Sequence, residues 1–228
     1  MRMVNVTEKI KHTKEKINSL DFDAHFYRRV FHAFGASFLF YYMLPDIDWI
    51  NSLKFWIPPV IVVIAILLEI LRLKGKISSD HFFGLRMYEQ KRIGSYVFFA
   101  IAILILLRFF PQHIAIPCIL CACLGDPIIG EIRQRFSMKH VYVFGFLICM
   151  FFFIIAWYKV DVRIMIIASI IGAFGAVFGE TKKIWWLDDD FMIQMVPAIL
   201  LLILWISLPY LGFNFTDPTI IYPGKMPW

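Results

Sequence analysis

The chain has 228 residues, 60% of them apolar and 18% charged, with a mean hydropathy of +0.71 and a formal net charge of +6. A soluble domain is about 45–50% apolar, and disorder needs low hydrophobicity with high net charge, so both classes are excluded. The charges are also bunched: Val30–Pro45, Phe55–Leu68, Ile93–Leu107, Phe109–Gly125, Val141–Tyr158, Ile164–Gly179 and Phe191–Thr216 contain no Asp, Glu, Lys or Arg, and together they cover more than half of the chain. This pattern predicts an all-α, polytopic transmembrane helix bundle of about seven spans.

In chain order, residues 1–25 form a cytoplasmic segment that holds Arg2, Lys9, Lys11, Lys14 and Lys16 without an apolar core, so it is not a cleavable signal peptide. Val6, Ile10, Ile17 and Leu20 share one helical stripe, which predicts a helix lying on the membrane or a solvated charged helix. A transmembrane domain follows over 26–212. Most of its apolar runs are shorter than the roughly 20 residues of a spanning helix, and flanking Tyr, Trp, Lys and Arg make up the difference by snorkelling. The first two runs are short and carry Gly35, Pro58 and Pro59, so six spans is the alternative count. Cys118, Cys121, Cys123 and Cys149 lie inside apolar runs and are expected as small buried hydrophobes, with no disulfide framework. Residues 213–228 form an extracytoplasmic tail carrying the sequon Asn214-Phe215-Thr216.

Seven spans place eighteen of the 23 Lys and Arg residues on the side of the N-terminus and five on the other. That asymmetry predicts an N-in, C-out protein of the plasma membrane or endoplasmic reticulum. The net positive charge then reflects topology and anionic lipid, with no role in nucleic-acid binding.

The costly residues gather on the same side. Glu69, Asp126, Glu131, Glu180 and the trio Asp188, Asp189 and Asp190 all fall at the expected cytoplasmic ends, level with Arg28, Arg29, His32, Arg72, Arg86, Arg92, Arg133, Arg135, Lys139 and Lys182. An ionisable group at membrane depth is a functional candidate. A transporter more often places such groups at broken helices near the midplane. Carboxylates with arginines at one membrane face suit a divalent metal and a polyphosphate. Each residue also has a plainer reading. Asp126 before Pro127 is a helix-start pattern, the Asp188–Asp190 run can simply end a span, the arginines can set topology, and His32 can be a hydrogen-bonded structural histidine.

Four local patterns recur in order: Arg28-Arg29 with His32 opening a span; Glu69-Ile70-Leu71-Arg72 followed by Arg86-Met87-Tyr88-Glu89; Gly125-Asp126; and Glu180 followed by Asp188-Asp189-Asp190-Phe191. As an ordered set over nearly the whole chain, they resemble the CTP-dependent polyprenol and lipid kinases. These include dolichol, phytol and farnesol kinases and the CTP-using diacylglycerol kinase, and they are related to the phosphatidate cytidylyltransferases. The closing motif of that family reads Asp-Asp-Asn-Leu, so Asp190 and Phe191 are replacements. The family's glycine-rich basic loop is here Arg133-Gln134-Arg135-Phe136-Ser137-Met138-Lys139, without glycine, and the Glu-Gly pair that follows it is missing.

The resemblance implies an integral-membrane kinase that transfers the γ-phosphate of CTP to a lipid alcohol at the cytoplasmic face. The alcohol is a polyprenol or other isoprenoid alcohol, or a diacyl- or dialkylglycerol. It implies Asp126, Asp188 and Asp189 as catalytic residues, and Asp126, Glu180, Asp188 and Asp189 as Mg²⁺ ligands. Arg28, Arg29, His32, Arg135, Lys139 and Lys182 would hold nucleotide and phosphate. A homo-oligomer is compatible with this scaffold. Two alternatives stay open: a cytidylyltransferase that joins CMP to a lipid phosphate, and a non-catalytic membrane protein on the same scaffold, in keeping with the missing glycines.

Overall fold

A computed structural model of the chain describes residues 27, 29–79, 82, 85, 87–181, 187–213 and 218–223. The expected amphipathic segment at 1–25, Arg28, Arg86, Lys182 and the sequon at 214–216 lie outside the described residues. Among those described, every regular element is helical. The stretch 29–43 (α1) tightens into a 3-10 turn at Ala36–Leu39 and ends in the short helix Phe40–Met43. It is followed by Asp48–Leu73 (α2), Ser95–Phe109 (α3), Gln112–Arg135 (α4), Met138–Trp157 (α5), Val162–Thr181 (α6) and Asp189–Ser207 (α7). Helices α2, α4, α5, α6 and α7 are long and apolar enough to cross a membrane, and α3 is a shorter apolar helix of 15 residues. The chain is an all-helical, multi-pass membrane protein.

Small residues set the closest packing. On α6 the run Ala168, Gly172, Gly175, Ala176 and Gly179 is buried. A Cβ on Gly179 would stand 2.4 Å from the Met192 carbonyl oxygen of α7, and one on Gly175 would stand 2.9 Å from Pro197 Cα. Small residues four apart let helix backbones approach where lipid supplies no hydrophobic drive. Because Glu180 is the next residue on α6, this approach also brings it beside the start of α7. Gly35 does the same for α1, since a Cβ there would meet the Phe99 ring of α3 at 2.6 Å and Cys123 Sγ of α4 at 3.0 Å. Helix α2, by contrast, packs chiefly on α3 and exposes Trp56, Val60, Ile64 and Leu67 along its length, a surface suited to lipid.

Two prolines leave carbonyls for other helices to satisfy. Pro59 has no N–H for Phe55 O, and Arg108 of α3 donates to that oxygen while its guanidinium lies 4.0 Å above the Phe55 ring. In α4 the segment Cys121–Gly125 winds as a π turn, so that the Asp126 N–H bonds Cys121 O, five residues back. In that register the donor for Ala122 O falls on Pro127, which has none. The Ala122 carbonyl is therefore left to a partner outside its own helix.

At the end of the bundle where α4 begins, residues 218–223 lie across the helix termini. Gln112 Oε1 accepts the backbone N–H groups of Ile220 at 3.3 Å and Ile221 at 3.1 Å. Lys159 donates to Thr219 O at 3.0 Å and to the Tyr222 hydroxyl at 3.2 Å, and that hydroxyl holds the exposed ammonium above the usual lysine range.

Candidate functional site at one end of the bundle

The start of α1, the end of α2, the lower turns of α4 and the facing ends of α5, α6 and α7 meet at one end. His32 is buried there between two carboxylates. Its Nδ1 lies 3.2 Å from Ala122 O, the carbonyl freed by the π turn, and 3.6 Å from Asp126 Oδ2. Its Nε2 lies 3.5 Å from Asp190 Oδ2. A carbonyl can only accept, so Nδ1 is the donor in this contact, which leaves Nε2 facing Asp190. The ring also packs on Phe99, with centroids 5.1 Å apart. His32, Asp126 and Asp190 each offer one ligand atom, and these three atoms lie within 4.8 Å of one another.

The acidic trio divides its work. Asp188 is the N-cap of α7 and accepts from the Asp190 N–H at 3.5 Å, a cap suited to the positive end of the helix. Asp189 is buried in the first turn. Asp190, 1% exposed, turns inward to His32, and its own carbonyl accepts from Gln194 Nε2 at 2.8 Å. The three carboxylates also offer ligand atoms within 4.8 Å of one another. Glu180 lies within electrostatic reach of Asp126 and Asp189 and is held by an ion pair with Arg133. Glu131, one helical turn beyond Asp126, links two cations: Arg29 Nη1 at 2.5 Å and Arg135 Nη2 at 2.8 Å. Lys139 is exposed in the first turn of α5, and only Phe136 and Ser137 separate α4 from α5.

Glu69 and Arg72 form a clasp. The guanidinium makes a bidentate pair with Glu69, Nε to Oε2 at 2.7 Å and Nη2 to Oε1 at 2.6 Å. It also donates to the carbonyls of Glu89 and Gln90, each at 3.1 Å, and of Arg92 at 2.6 Å. The Gly94 N–H and the Tyr96 hydroxyl donate to the two Glu69 oxygens, at 2.6 and 2.8 Å. The Glu-x-x-Arg pattern thus ties the end of α2 to the connection entering α3. Every polar atom of the pair has a partner, as burial requires.

Of the residues expected to act, Asp126, His32, Asp188, Asp189, Glu180, Arg29 and Arg135 are gathered at this end. Lys139 lies at the rim, and Arg28 and Lys182 fall outside the described residues. Two residues that the sequence grouped with the acidic residues of this face, without assigning them a role, enter the site. Asp190, which stands where the related motif has asparagine, is the trio member that reaches His32. Glu131 is the counter-ion of Arg29 across 102 positions, for which no local signal exists. No known protein family, curated protein or solved structure matches the chain.

Proposed function

We propose that this protein is an integral-membrane phosphotransferase that moves the γ-phosphate of CTP to a lipid alcohol at the cytoplasmic face of a seven-span, N-in, C-out bundle. The observation that supports it best is the convergence of a histidine and carboxylates from α1, α4, α6 and α7 on one end, ringed by arginines. This follows the order of motifs that resembles the CTP-dependent polyprenol and lipid kinases.

The donor chemistry fits a divalent cation. Asp126, Glu180, Asp188, Asp189 and Asp190 supply hard oxygen ligands, the kind that suits Mg²⁺ shared with a polyphosphate. When bound, Mg²⁺ would neutralise charge on the β- and γ-phosphates. The chain's own part is then positioning and electrostatics, which dominate a loose phosphoryl transfer. Arg135 and Lys139 are exposed at the rim, where a nucleotide arrives, and Arg28 and Lys182 complete the proposed cationic set. Arg29 and Arg133 stand pre-aligned by Glu131 and Glu180. The alcohol reaches the site from the bilayer, along the exposed apolar surfaces of α1 and α2. Its chain is chosen by those apolar surfaces, which accommodate isoprenoid and glycerolipid tails alike.

The two-residue connection between α4 and α5 bears on the rival enzymes. It leaves no glycine-rich loop to wrap the α-phosphate, which favours γ-transfer over cytidylyl transfer. The same feature supports a second reading, a non-catalytic membrane protein on this scaffold. Purified protein incubated with Mg²⁺, a panel of lipid alcohols and phosphorylated lipids, and CTP labelled at the α or the γ position decides among the three. Label from γ-CTP is expected in the lipid. Lipid carrying α-label with pyrophosphate released would assign a cytidylyltransferase, and no transfer of either label would assign the non-catalytic reading.

A further inference from the structure

The separation of His32 Nε2 from Asp190 is too long for a hydrogen bond and right for two ligands sharing an ion. Nitrogen–oxygen hydrogen bonds lie at about 2.7–3.2 Å, whereas Nε2–Oδ2 of Asp190 is 3.5 Å, and one ligand atom each from His32, Asp126 and Asp190 lies within 4.8 Å of the other two. Two donors bonded to one cation at ~2.0–2.2 Å stand roughly 3–3.5 Å apart at tetrahedral or octahedral angles. The imidazole is also pre-set as a ligand. A histidine bound to a metal commonly donates its second N–H to a carbonyl or carboxylate, which fixes the ring and its tautomer. Here the Nδ1–H points at Ala122 O, a carbonyl that the π turn and Pro127 leave without a donor in its own helix. Nε2 is therefore turned to Asp190, which is 1% exposed.

We infer that His32 Nε2, Asp126 and Asp190 form a mixed nitrogen–oxygen site for a first-row transition-metal dication such as Mn²⁺, with the Ala122 carbonyl orienting the imidazole. Oxygen-only sites favour Mg²⁺ and Ca²⁺, while an imidazole nitrogen shifts preference toward transition metals. This gives His32 the role of a metal ligand where the resemblance implied a phosphate contact. It also gives Asp190 a task that the asparagine of the related motif would do less well, since a neutral amide contributes no charge. The inference deepens the phosphotransferase reading, resting on the same site, but its test needs neither nucleotide nor lipid.

The full chain in nanodiscs, stripped of metal and titrated with Mn²⁺ alone, is expected to bind it saturably. Pulsed EPR should then show modulation from a coordinated nitrogen. Growth with ¹⁵N-histidine should replace the ¹⁴N pattern in the unmutated protein, so this arm does not depend on any variant folding. His32→Gln, which keeps a polar group near Ala122 O, should abolish the nitrogen coupling and weaken Mn²⁺ binding by about 10–100-fold, as should Asp190→Asn for affinity. His113→Gln, at a buried histidine of the opposite end, should alter neither. Absence of saturable Mn²⁺ binding, or bound Mn²⁺ without histidine coupling, would overturn the assignment even if γ-label reaches lipid. Histidine-coupled Mn²⁺ with no label transfer would keep the site and remove the kinase.

Discussion

Two buried histidines stand at opposite ends of one bundle in opposite company. His32 is flanked by Asp126 and Asp190 and anchored by a main-chain carbonyl. His113, fully buried at the start of α4, lies 4.1 Å from the Trp205 ring and 4.9 Å from the Trp157 ring between centroids, and neither of its ring nitrogens has a hydrogen-bond partner among the described residues. The Trp157 Nε1 beside it is also buried without one. One end of the molecule is thus assembled by pairing charges and the other by packing aromatic faces. A histidine's role is read from what faces it, and the cost of replacing it should follow the same division.

The largest effect is expected where the charge-built end is cut at its clasp. Arg72→Met leaves the buried Glu69 carboxylate without its counter-ion and the carbonyls of Glu89, Gln90 and Arg92 without this donor, and breaking a buried pair from one side typically costs about 3–5 kcal/mol. Unfolding in mixed detergent micelles would measure it. Glu69→Leu combined with Arg72→Met should cost less than the arginine change alone, because a stranded buried carboxylate costs more than the Gly94 N–H and Tyr96 hydroxyl left without their acceptor. A loss equal to or greater than the single change would break the view that charge pairing organises this end.

Next comes Asp126→Asn, expected to reduce γ-label transfer by about 10–100-fold or more while leaving the unfolding midpoint nearly unchanged. If Asp126 only neighbours His32 as a structural partner, the pattern inverts: activity persists and stability falls by ~1 kcal/mol. At the aromatic end, His113→Phe should keep full transfer activity. It should also change stability by no more than about 1–2 kcal/mol in either direction, since the ring loses no hydrogen bond and two desolvated nitrogens disappear. A dead His113→Phe variant with normal unfolding would erase the contrast between the two histidines. The smallest effect is expected for Glu131→Gln. Its half-exposed pair with Arg29 is worth about 0–1 kcal/mol, so freeing Arg29 should change the KM for CTP by less than roughly five-fold, downward.

Much of this layout was written in the chain's charge spacing. Each of the seven charge-free runs falls on a helix, and α2 extends its 14-residue run at both ends to 26 residues by taking in Asp48, Lys54, Glu69 and Arg72. The Pro58-Pro59 pair that weakened the second run lies inside α2, and Arg108 serves the Phe55 carbonyl that Pro59 leaves without a donor. The division of labour among carboxylates was not legible. Asp188 is the extended N-cap, Asp189 and Asp190 open the helix about 100° apart, and only the docking of α1 decides that the third meets His32. Likewise, Glu-x-x-Arg reads as two site residues until the Gly94 N–H and the Arg92 carbonyl arrive from 20 or more positions away. Spacing reports which helix face a residue shares. It does not report which other helix presents its backbone there.

The tail over the aromatic end has a bearing on biogenesis. Gln112 begins α4, yet the N–H groups its side-chain oxygen accepts belong to Ile220 and Ile221, more than a hundred residues later. During synthesis that oxygen and the Lys159 ammonium wait for helices α5, α6 and α7 to leave the ribosome and for residues 218–223 to reach the same face of the bilayer. Closure of that end therefore follows the insertion of every helix from α4 to α7. Nascent chains truncated before Ile220 should leave a cysteine placed at Pro111 reachable by water-soluble reagents, and chains that extend past Pro223 should shield it.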